Sequence, residues 1–166
     1  MDEKEMRLHR CCFTGHRPEK LNASEEEIKK SLTRAIENAL AAGKRTFITG
    51  MSRGTDIYAG ELVLRYREFD PSIYLVCALP YPDFEKRWSA HWQQRYHAIL
   101  QKANFVKVVC PSFSMSSYQI RNEWMVDRSS LVIAIFNGEN GGTKNTISYS
   151  RMHKIEVVMI EVRKRS

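Results

Sequence analysis

Long apolar runs, metal-binding spacings and a secretion signal are all missing from this chain of 166 residues. No stretch approaches the ~20 apolar residues that a membrane-spanning helix needs, and the acidic segment Met1–Met6 is not typical of a signal peptide. The four cysteines form neither a Cys-x-x-Cys pair nor a cluster with histidine, so we expect free buried thiols and no bound metal. We therefore expect a cytoplasmic protein with no membrane partner.

Two common nucleotide-binding motifs are also missing. No Gly-x-Gly-x-x-Gly segment follows the first strand pattern, which disfavours a dinucleotide-binding fingerprint. Residues 141–144 have the order Gly-Gly-Thr-Lys instead of Gly-Lys-Ser/Thr, which disfavours ATP hydrolysis of the P-loop type. A nucleotide site in this chain has to be built in another way.

The charge is basic but scattered. Lysine and arginine total 26 against 19 acidic residues, for a net charge of +7, and part of the excess lies in Arg163–Arg165. No basic helix, basic arm or alternation of basic and aromatic side chains stands out. The charge therefore indicates attraction of phosphorylated small molecules, and nucleic acid is not expected as a partner.

Strand-like and helix-like patterns alternate along the chain, which is typical of a parallel, doubly wound α/β sheet. A capping box at Ser24–Glu27 begins one helix, and Gly43 fits the position after its end. The pattern predicts one domain over 1–166, a three-layer α/β/α sandwich with a mostly parallel sheet and a core of about 8–162. Strands are expected over 8–14, 46–49, 72–79, 105–110, 131–136 and 155–162, and further helices over 55–67, 83–102, 118–128 and 144–153.

Aromatic side chains recur at steps of four in the expected helix over 83–102. Phe84, Trp88, Trp92 and Tyr96 would share one face of that helix. The spacing favours a face that packs on the core. The alternative is a surface that stacks on a purine base.

Glycine, hydroxyl and arginine residues follow four of the expected strands. In open parallel sheets, ligands bind outside the carboxyl ends of the strands, so these segments would meet at one edge. Their composition favours phosphate, and a glycine loop that opens a helix adds backbone N–H groups and a partial positive charge. The four segments are Thr14–Pro18, Gly50–Asp56, Tyr118–Asn122 and Gly138–Thr143.

These segments, in this order, resemble the YpsA-like branch of the SLOG (SMF/DprA-LOG) superfamily of Rossmann-like proteins. The resemblance spans about residues 11–160, and its second and third motifs also resemble the pattern of DNA-processing protein A. It implies a pocket for a nucleotide or nucleotide-derived ligand, such as a nucleotide sugar. The candidate ligand- and phosphate-binding residues are Thr14, Gly15, His16, Arg17, Gly50, Ser52, Arg53, Gly54, Asp56, Arg121, Asn122, Gly138, Gly141, Gly142 and Thr143.

Several of these residues have an alternative structural role. The backbone N–H groups of Gly50 and Gly54 could face a phosphate, or the glycines could only permit a tight turn. Asp56 could accept from a ribose hydroxyl or from N–H groups at the start of its helix. Arg17 and Arg53 could bind phosphate through two donors each, or remain solvated.

The third motif carries an Arg-Asn pair. Arg121 is expected to bind phosphate, and Asn122 is expected to hydrogen-bond a base or a ribose. Asp127 could instead pair with Arg121, which would give the arginine a structural role.

The resemblance also bears on catalysis. The related LOG-type phosphoribohydrolases have Pro-Gly-Gly-x-Gly-Thr-x-x-Glu, and Thr146 occupies the position of the glutamate in this chain. Threonine cannot act as the carboxylate that such a cleavage uses. His16, Asp56 and Glu139 are the remaining catalytic candidates.

The preferred function is a nucleotide-binding sensor or regulatory protein. The alternative is a nucleotide-processing hydrolase, and the weakest alternative is a protein that binds single-stranded DNA. The expected partner is a phosphorylated small molecule, and the fold is compatible with a homo-oligomer.

Overall fold

Six strands alternate with helices in the computed structural model, which describes residues 2–166. The strands are β1 (Arg10–Gly15), β2 (Thr46–Thr49), β3 (Tyr74–Leu79), β4 (Phe105–Val108), β5 (Leu131–Phe136) and β6 (Glu156–Glu161). The α-helices are α1 (Glu3–Arg7), α2 (Glu25–Ala41), α3 (Thr55–Phe69), α4 (Ala90–Lys102), α5 (Ser117–Asp127) and α6 (Gly142–Met152), and Pro18–Lys20 form a short 3-10 helix.

All six strands pair in parallel, in the order β4-β3-β2-β1-β5-β6. Cys11 of β1 pairs with Phe47 of β2 on one side and with Leu131 of β5 on the other. The chain builds outward from β1 to β4 and then crosses back to place β5 on the other side of β1. The point at which the direction reverses lies between β1 and β5, and the predicted Rossmann-like α/β fold is confirmed.

Helices cover both faces of the sheet. On one face, alternate strand residues such as Phe13 and Phe47 pack with side chains of α2, α3 and α4. On the other face, Cys12 and Val132 pack with Met125 of α5. Because successive strand residues point to opposite faces, the apolar runs in β1 and β5 supply both core layers.

The four cysteines are free and buried, as expected. Burial raises the pKa of the Cys12 thiol to about 12, so this thiol is protonated and unreactive at neutral pH. Within residues 2–166, no helix is both long and apolar enough to cross a membrane. The same residues contain no group of three histidine, cysteine or acidic side chains that could hold a metal ion.

The aromatic helix begins later than expected. Asp83 has a left-handed φ of 63°, the next residues form turns, and α4 starts only at Ala90. A left-handed residue cannot continue a right-handed helix, so the expected helical start at 83 is wrong. Phe84 and Trp88 nevertheless pack against Tyr96, at ring-centroid distances of 5.7 and 5.5 Å.

A helix at the amino-terminal end was not expected. Asp2 and Glu5 form a capping box that begins α1, in which each side chain accepts from the other residue's backbone N–H. The spacing of these two residues is the sequence signal for it.

Candidate functional site

A cleft of about 510 Å³ opens at the carboxyl edge of the sheet, around the point where the chain direction reverses. Segments that follow β1, β2, β3, β4 and β5 all contribute to it, so the parallel topology brings distant parts of the chain together. The residues that line the cleft are Phe13, Thr14, Gly15, His16, Arg17, Lys20, Ser52, Arg53, Asp56, Phe84, Trp88, Tyr118, Arg121, Asn122, Glu139, Asn140, Gly141, Gly142 and Thr143.

Most of the expected ligand-binding residues meet in this cleft. The four sequence segments lie next to one another there, although they are far apart in the chain. Gly50, Gly54 and Gly138 lie outside the lining of the cleft. Their backbone conformations and contacts give them other roles.

Gly50 makes room for the side chain of Arg121. A Cβ atom at position 50 would lie 2.8 Å from Arg121 Cζ, and the Gly50 carbonyl accepts a hydrogen bond from Arg121 Nη1. This close approach gives Gly50 a packing role that the sequence pattern did not predict. Only glycine allows the guanidinium to approach the backbone this closely.

Gly54 and Gly138 are turn residues. Both have a φ of 89°, a left-handed conformation that favours glycine. Gly54 also precedes α3 and lies against the ring of Pro18, because a Cβ there would be 2.8 Å from Pro18 Cδ. The conformation of Gly54 agrees with the tight-turn alternative, and a phosphate contact at Gly54 or Gly138 stays a prediction.

Arg121 is buried beneath the cleft, with 3% of the residue exposed. Its side chain donates to the Gly50 and Ala78 carbonyl oxygens, to Asn122 Oδ1 at 2.9 Å and to Ser52 Oγ at 3.4 Å. Burial lowers the pKa of the guanidinium, and the charge of Asp56 opposes that shift. Four of its five N–H groups thus donate hydrogen bonds within the protein. These bonds connect α5 to the ends of β2 and β3.

Asp127 does not pair with Arg121. Its carboxylate accepts a hydrogen bond of 2.6 Å from the hydroxyl of Tyr149, which joins α5 to α6. Arg121 and Asp127 are six residues apart on α5, about 240° around the helix axis, so their side chains point to different sides of the helix.

Asp56 places a buried carboxyl group on the floor of the cleft. Its Oδ2 accepts from the Ser52 backbone N–H at 3.2 Å, so it caps the loop before α3. Among residues 2–166, Oδ1 has no hydrogen-bond partner. Burial raises the pKa of this carboxyl group to about 6, while Arg121 and the Ser52 N–H group oppose the shift.

His16 is the second buried titratable group on the floor. Its ring stacks on Phe136 with a centroid distance of 5.8 Å, and Nε2 has no partner in the described part of the chain. Burial lowers the pKa of the imidazole, which keeps it neutral at physiological pH. Thr55 Oγ1 donates to the His16 carbonyl oxygen at 3.3 Å, which holds the loop after β1 against α3.

Positive charge is concentrated at the rim. Arg17 and Lys20 line the cleft and are exposed. Arg53 has a partner, because its guanidinium lies 3.0 Å from Glu19. Arg17 and Lys20 are thus the cations best placed to meet an anion that enters from solvent.

The start of α6 supplies backbone donors. Gly141 is the N-cap, with a φ of 145°, and it cannot cap the helix with a side chain. The first N–H groups of a helix have no intrahelical acceptor, so those at Gly142 and Thr143 are available at the wall of the cleft.

Thr146 lies one turn into α6 and is not among the residues that line the cleft. It is buried, and its hydroxyl donates to the Gly142 carbonyl oxygen at 2.8 Å. The acidic residues that line the cleft are Asp56 and Glu139. Glu139 is on the loop before α6, and its Oε1 lies 3.8 Å from Lys164 Nζ.

Several lining residues outside the expected ligand-binding set are aromatic. Phe84 and Trp88 reach the cleft from the turns after β3, and Tyr118 reaches it from the start of α5. Arg121 Cζ lies 5.6 Å from the centroid of the Tyr118 ring. Tyr118 begins the third motif, whereas base stacking by Phe84 and Trp88 was the alternative to a helix face that packs on the core. Phe13, Lys20 and Asn140 also line the cleft.

Residues 11–163 match the sequence model of the YpsA SLOG family. The chain belongs to the SLOG family. An uncharacterised SPbeta prophage-derived protein of Bacillus subtilis, YoqJ, is 29% identical over 143 residues, which cover 78% of this chain and 84% of that protein. A UPF0398 protein of Halalkalibacterium halodurans is 25% identical over 118 residues, which cover 70% of this chain and 62% of that protein.

Two solved structures share the fold of this SLOG chain. DNA processing protein A from Helicobacter pylori, described for its single-stranded DNA binding mode, has a TM-score of 0.64 at 15% identity. DNA processing protein A from Streptococcus pneumoniae has a TM-score of 0.62 at 14% identity. The matches cover 95% and 93% of this chain but only 66% and 50% of those chains. The expectation that nucleic acid is not a partner gains no support from this likeness.

Proposed function

We propose that the cleft binds a nucleotide or a nucleotide derivative and that the protein acts as a cytoplasmic sensor of that ligand. The observation that carries this proposal is the meeting of two exposed rim cations, Arg17 and Lys20, with the start of α6 over one cleft. A phosphate group bound there would meet positive side chains and free N–H groups together. A volume of about 510 Å³ lies within the range of small-molecule sites.

The aromatic wall supports a ligand that also carries a ring. Trp88 and Tyr118 border the cleft beside the polar floor, so a base could pack against them while its phosphate stays at the rim. This arrangement favours a nucleotide over inorganic phosphate.

Calorimetric titration tests the proposal with AMP, ADP-ribose, a nucleotide sugar and inorganic phosphate. At least one nucleotide compound is expected to bind more tightly than phosphate. Arg17→Ala should weaken that binding about five-fold or more, the scale of one charge-assisted hydrogen bond. Arg34→Ala, which removes an exposed arginine of α2, is the matched control and should leave affinity unchanged. If no compound in the panel binds, the proposal is wrong.

A second candidate is binding of single-stranded DNA. Two aromatic side chains beside the cleft are exposed, Phe113 by 61% and Tyr118 by 40%, and both contact Tyr81. Exposed rings can stack on successive bases. Fluorescence anisotropy with a labelled oligonucleotide tests this candidate, and Phe113→Ala should weaken binding if the bases stack there. A complex that AMP displaces would locate the DNA in the same cleft.

A further inference from the structure

The floor of the cleft carries two polar atoms that the protein leaves unbonded. Within the described residues, Asp56 Oδ1 and His16 Nε2 are buried and have no hydrogen-bond partner. Only 6% of Asp56 and 8% of His16 is exposed, and both residues line the cleft. An unbonded polar atom in a buried position destabilises the fold, so a hydrogen bond from a ligand to either atom would stabilise the complex.

Arg121 does not donate a hydrogen bond to either of these two atoms. It lies on the same floor, but its hydrogen bonds go to Gly50, Ala78, Asn122 and Ser52. The Asp56 carboxylate therefore offers a free acceptor to the cleft. A phosphate oxygen cannot donate to this acceptor and would be repelled by its charge, whereas a hydroxyl group can donate.

The rim of the cleft is positively charged, whereas the floor offers a hydrogen-bond acceptor. Arg17, Lys20 and the start of α6 attract negative charge at the mouth of the cleft, above a floor where Asp56 Oδ1 is a free acceptor and His16 Nε2 is unbonded. A ligand with phosphate at one end and hydroxyl groups at the other matches this polarity from rim to floor.

We propose that the ligand is a ribonucleotide or related sugar phosphate, with its sugar hydroxyl groups on the floor and its phosphate at the rim. One hydroxyl donates to Asp56 Oδ1, and another bonds with His16 Nε2, which donates or accepts according to its tautomer. This inference rests on the proposed function, because it assigns a sugar class and an orientation to the ligand of the same cleft.

Calorimetric titration with AMP, 2′,3′-dideoxy-AMP and adenosine tests the orientation. Dideoxy-AMP is expected to bind about ten-fold more weakly than AMP, because it leaves the floor atoms unbonded. Equal affinities for AMP and dideoxy-AMP would overturn the inference and leave the proposed function standing. Equal affinities for AMP and adenosine would instead show that the phosphate makes no contact at the rim that contributes to binding. Failure of AMP and of every other phosphorylated compound to bind overturns both.

Variants of Asp56 and His16 distinguish the loss of a hydroxyl contact from a loss of affinity that has a structural cause. Asp56→Asn should weaken AMP binding about ten-fold and leave dideoxy-AMP binding unchanged. His16→Phe keeps a ring against Phe136 and should show the same selectivity for loss of AMP. Asp70→Asn, at the other end of α3, is the control and should change neither affinity. Equal losses for both nucleotides in variants that remain folded by circular dichroism would contradict the proposed pose.

Discussion

At the scale of single residues, the buried carboxyl group of Asp56 lowers the stability of the fold at neutral pH. Its carboxyl group is buried, and burial raises its pKa from 3.8 to about 6 in spite of the nearby Arg121 guanidinium. A raised folded-state pKa means that the folded protein holds this proton more tightly than the unfolded chain does. The loss of stability caused by the buried Asp56 carboxylate is therefore absent below about pH 4. It grows between about pH 4 and 6 and is complete above about pH 6.

Asp56→Asn should raise the free energy of unfolding at pH 7.5 by about 2–3 kcal/mol, the equivalent of the pKa shift. The difference from the wild-type protein should vanish near pH 4, where the native carboxyl group is already neutral. Urea denaturation at the two pH values measures it. A loss of stability at pH 7.5 would mean that attraction between Asp56 and Arg121 outweighs burial.

Alanine substitutions at Gly50 and Gly142 should have different effects, because Gly50 packs against Arg121 and Gly142 lines the cleft. Gly50→Ala would force a Cβ atom against Arg121 Cζ and should destabilise the protein by about 1–3 kcal/mol. At Gly142 the nearest atom to a Cβ is Asn122 Nδ2 at 3.9 Å, so Gly142→Ala should fold normally. Because the new methyl group would stand in the cleft, it should weaken nucleotide binding. Thermal denaturation and titration of both variants check the contrast, and a stable, fully binding Gly50→Ala protein would refute it.

At the scale of secondary-structure elements, Arg95 joins three helices away from the cleft. Its guanidinium, on α4, contacts both carboxylate oxygens of Glu25 on α2 and of Glu61 on α3. It also lies 4.9 Å from the ring centroid of Trp92. The hydrogen bond from Arg95 is the main reason that the pKa of Glu25 is lowered from 4.5 to about 2.

Arg95→Ala should lower the free energy of unfolding at pH 7 by about 1–3 kcal/mol, a range kept modest because Glu25 is partly exposed. A carboxyl group with a depressed folded-state pKa stabilises the fold above its unfolded pKa and loses that effect as the pH falls from about 4.5 towards 2. Denaturation at pH 7 and pH 2.5 should therefore show a smaller deficit at the lower pH. Arg34→Ala is the control, and a pH-independent deficit would indicate lost packing alone.

The elements themselves were largely predictable, and the contacts between them were not. Apolar periods indicated all six strands, and the capping box at Ser24–Glu27 marked the start of α2. The turn at Asp83 was missed because steps of four among aromatic residues look helical whether or not the backbone is helical. The contact of Gly50 with Arg121 joins segments that are 71 residues apart, and no local pattern encodes such a pairing.

At the scale of the whole molecule, the net charge of +7 should act on the ligand through the solvent. Affinity for AMP is expected to fall about two- to ten-fold between 50 and 500 mM NaCl, because salt screens the exposed rim cations. An oligonucleotide that covers several cations should lose affinity more steeply. Titrations across this salt range thus distinguish the two candidate partners. A salt-independent affinity for AMP would argue against contact with Arg17 and Lys20.

The location of the cleft was predictable from topology alone, since carboxyl ends of parallel strands share an edge. Cytoplasmic localisation, a single domain over 1–166 and a homo-oligomer remain predictions. The sequence offered base stacking by Phe84 and Trp88 only as the alternative to a face that packs on the core, because the place of these rings depends on how the turns after β3 fold back over the edge.

The crossing from β4 back to β5 has a consequence for the order of folding. β1 pairs with β5 across about 120 residues, as Cys11 with Leu131, so a chain emerging from the ribosome must complete four strands before the central pair can form. The loop before α6 arrives later still. The cleft is therefore complete only after β5 and the loop before α6 have been made, and a molecule that fills it would hold early and late segments together and stabilise the folded chain.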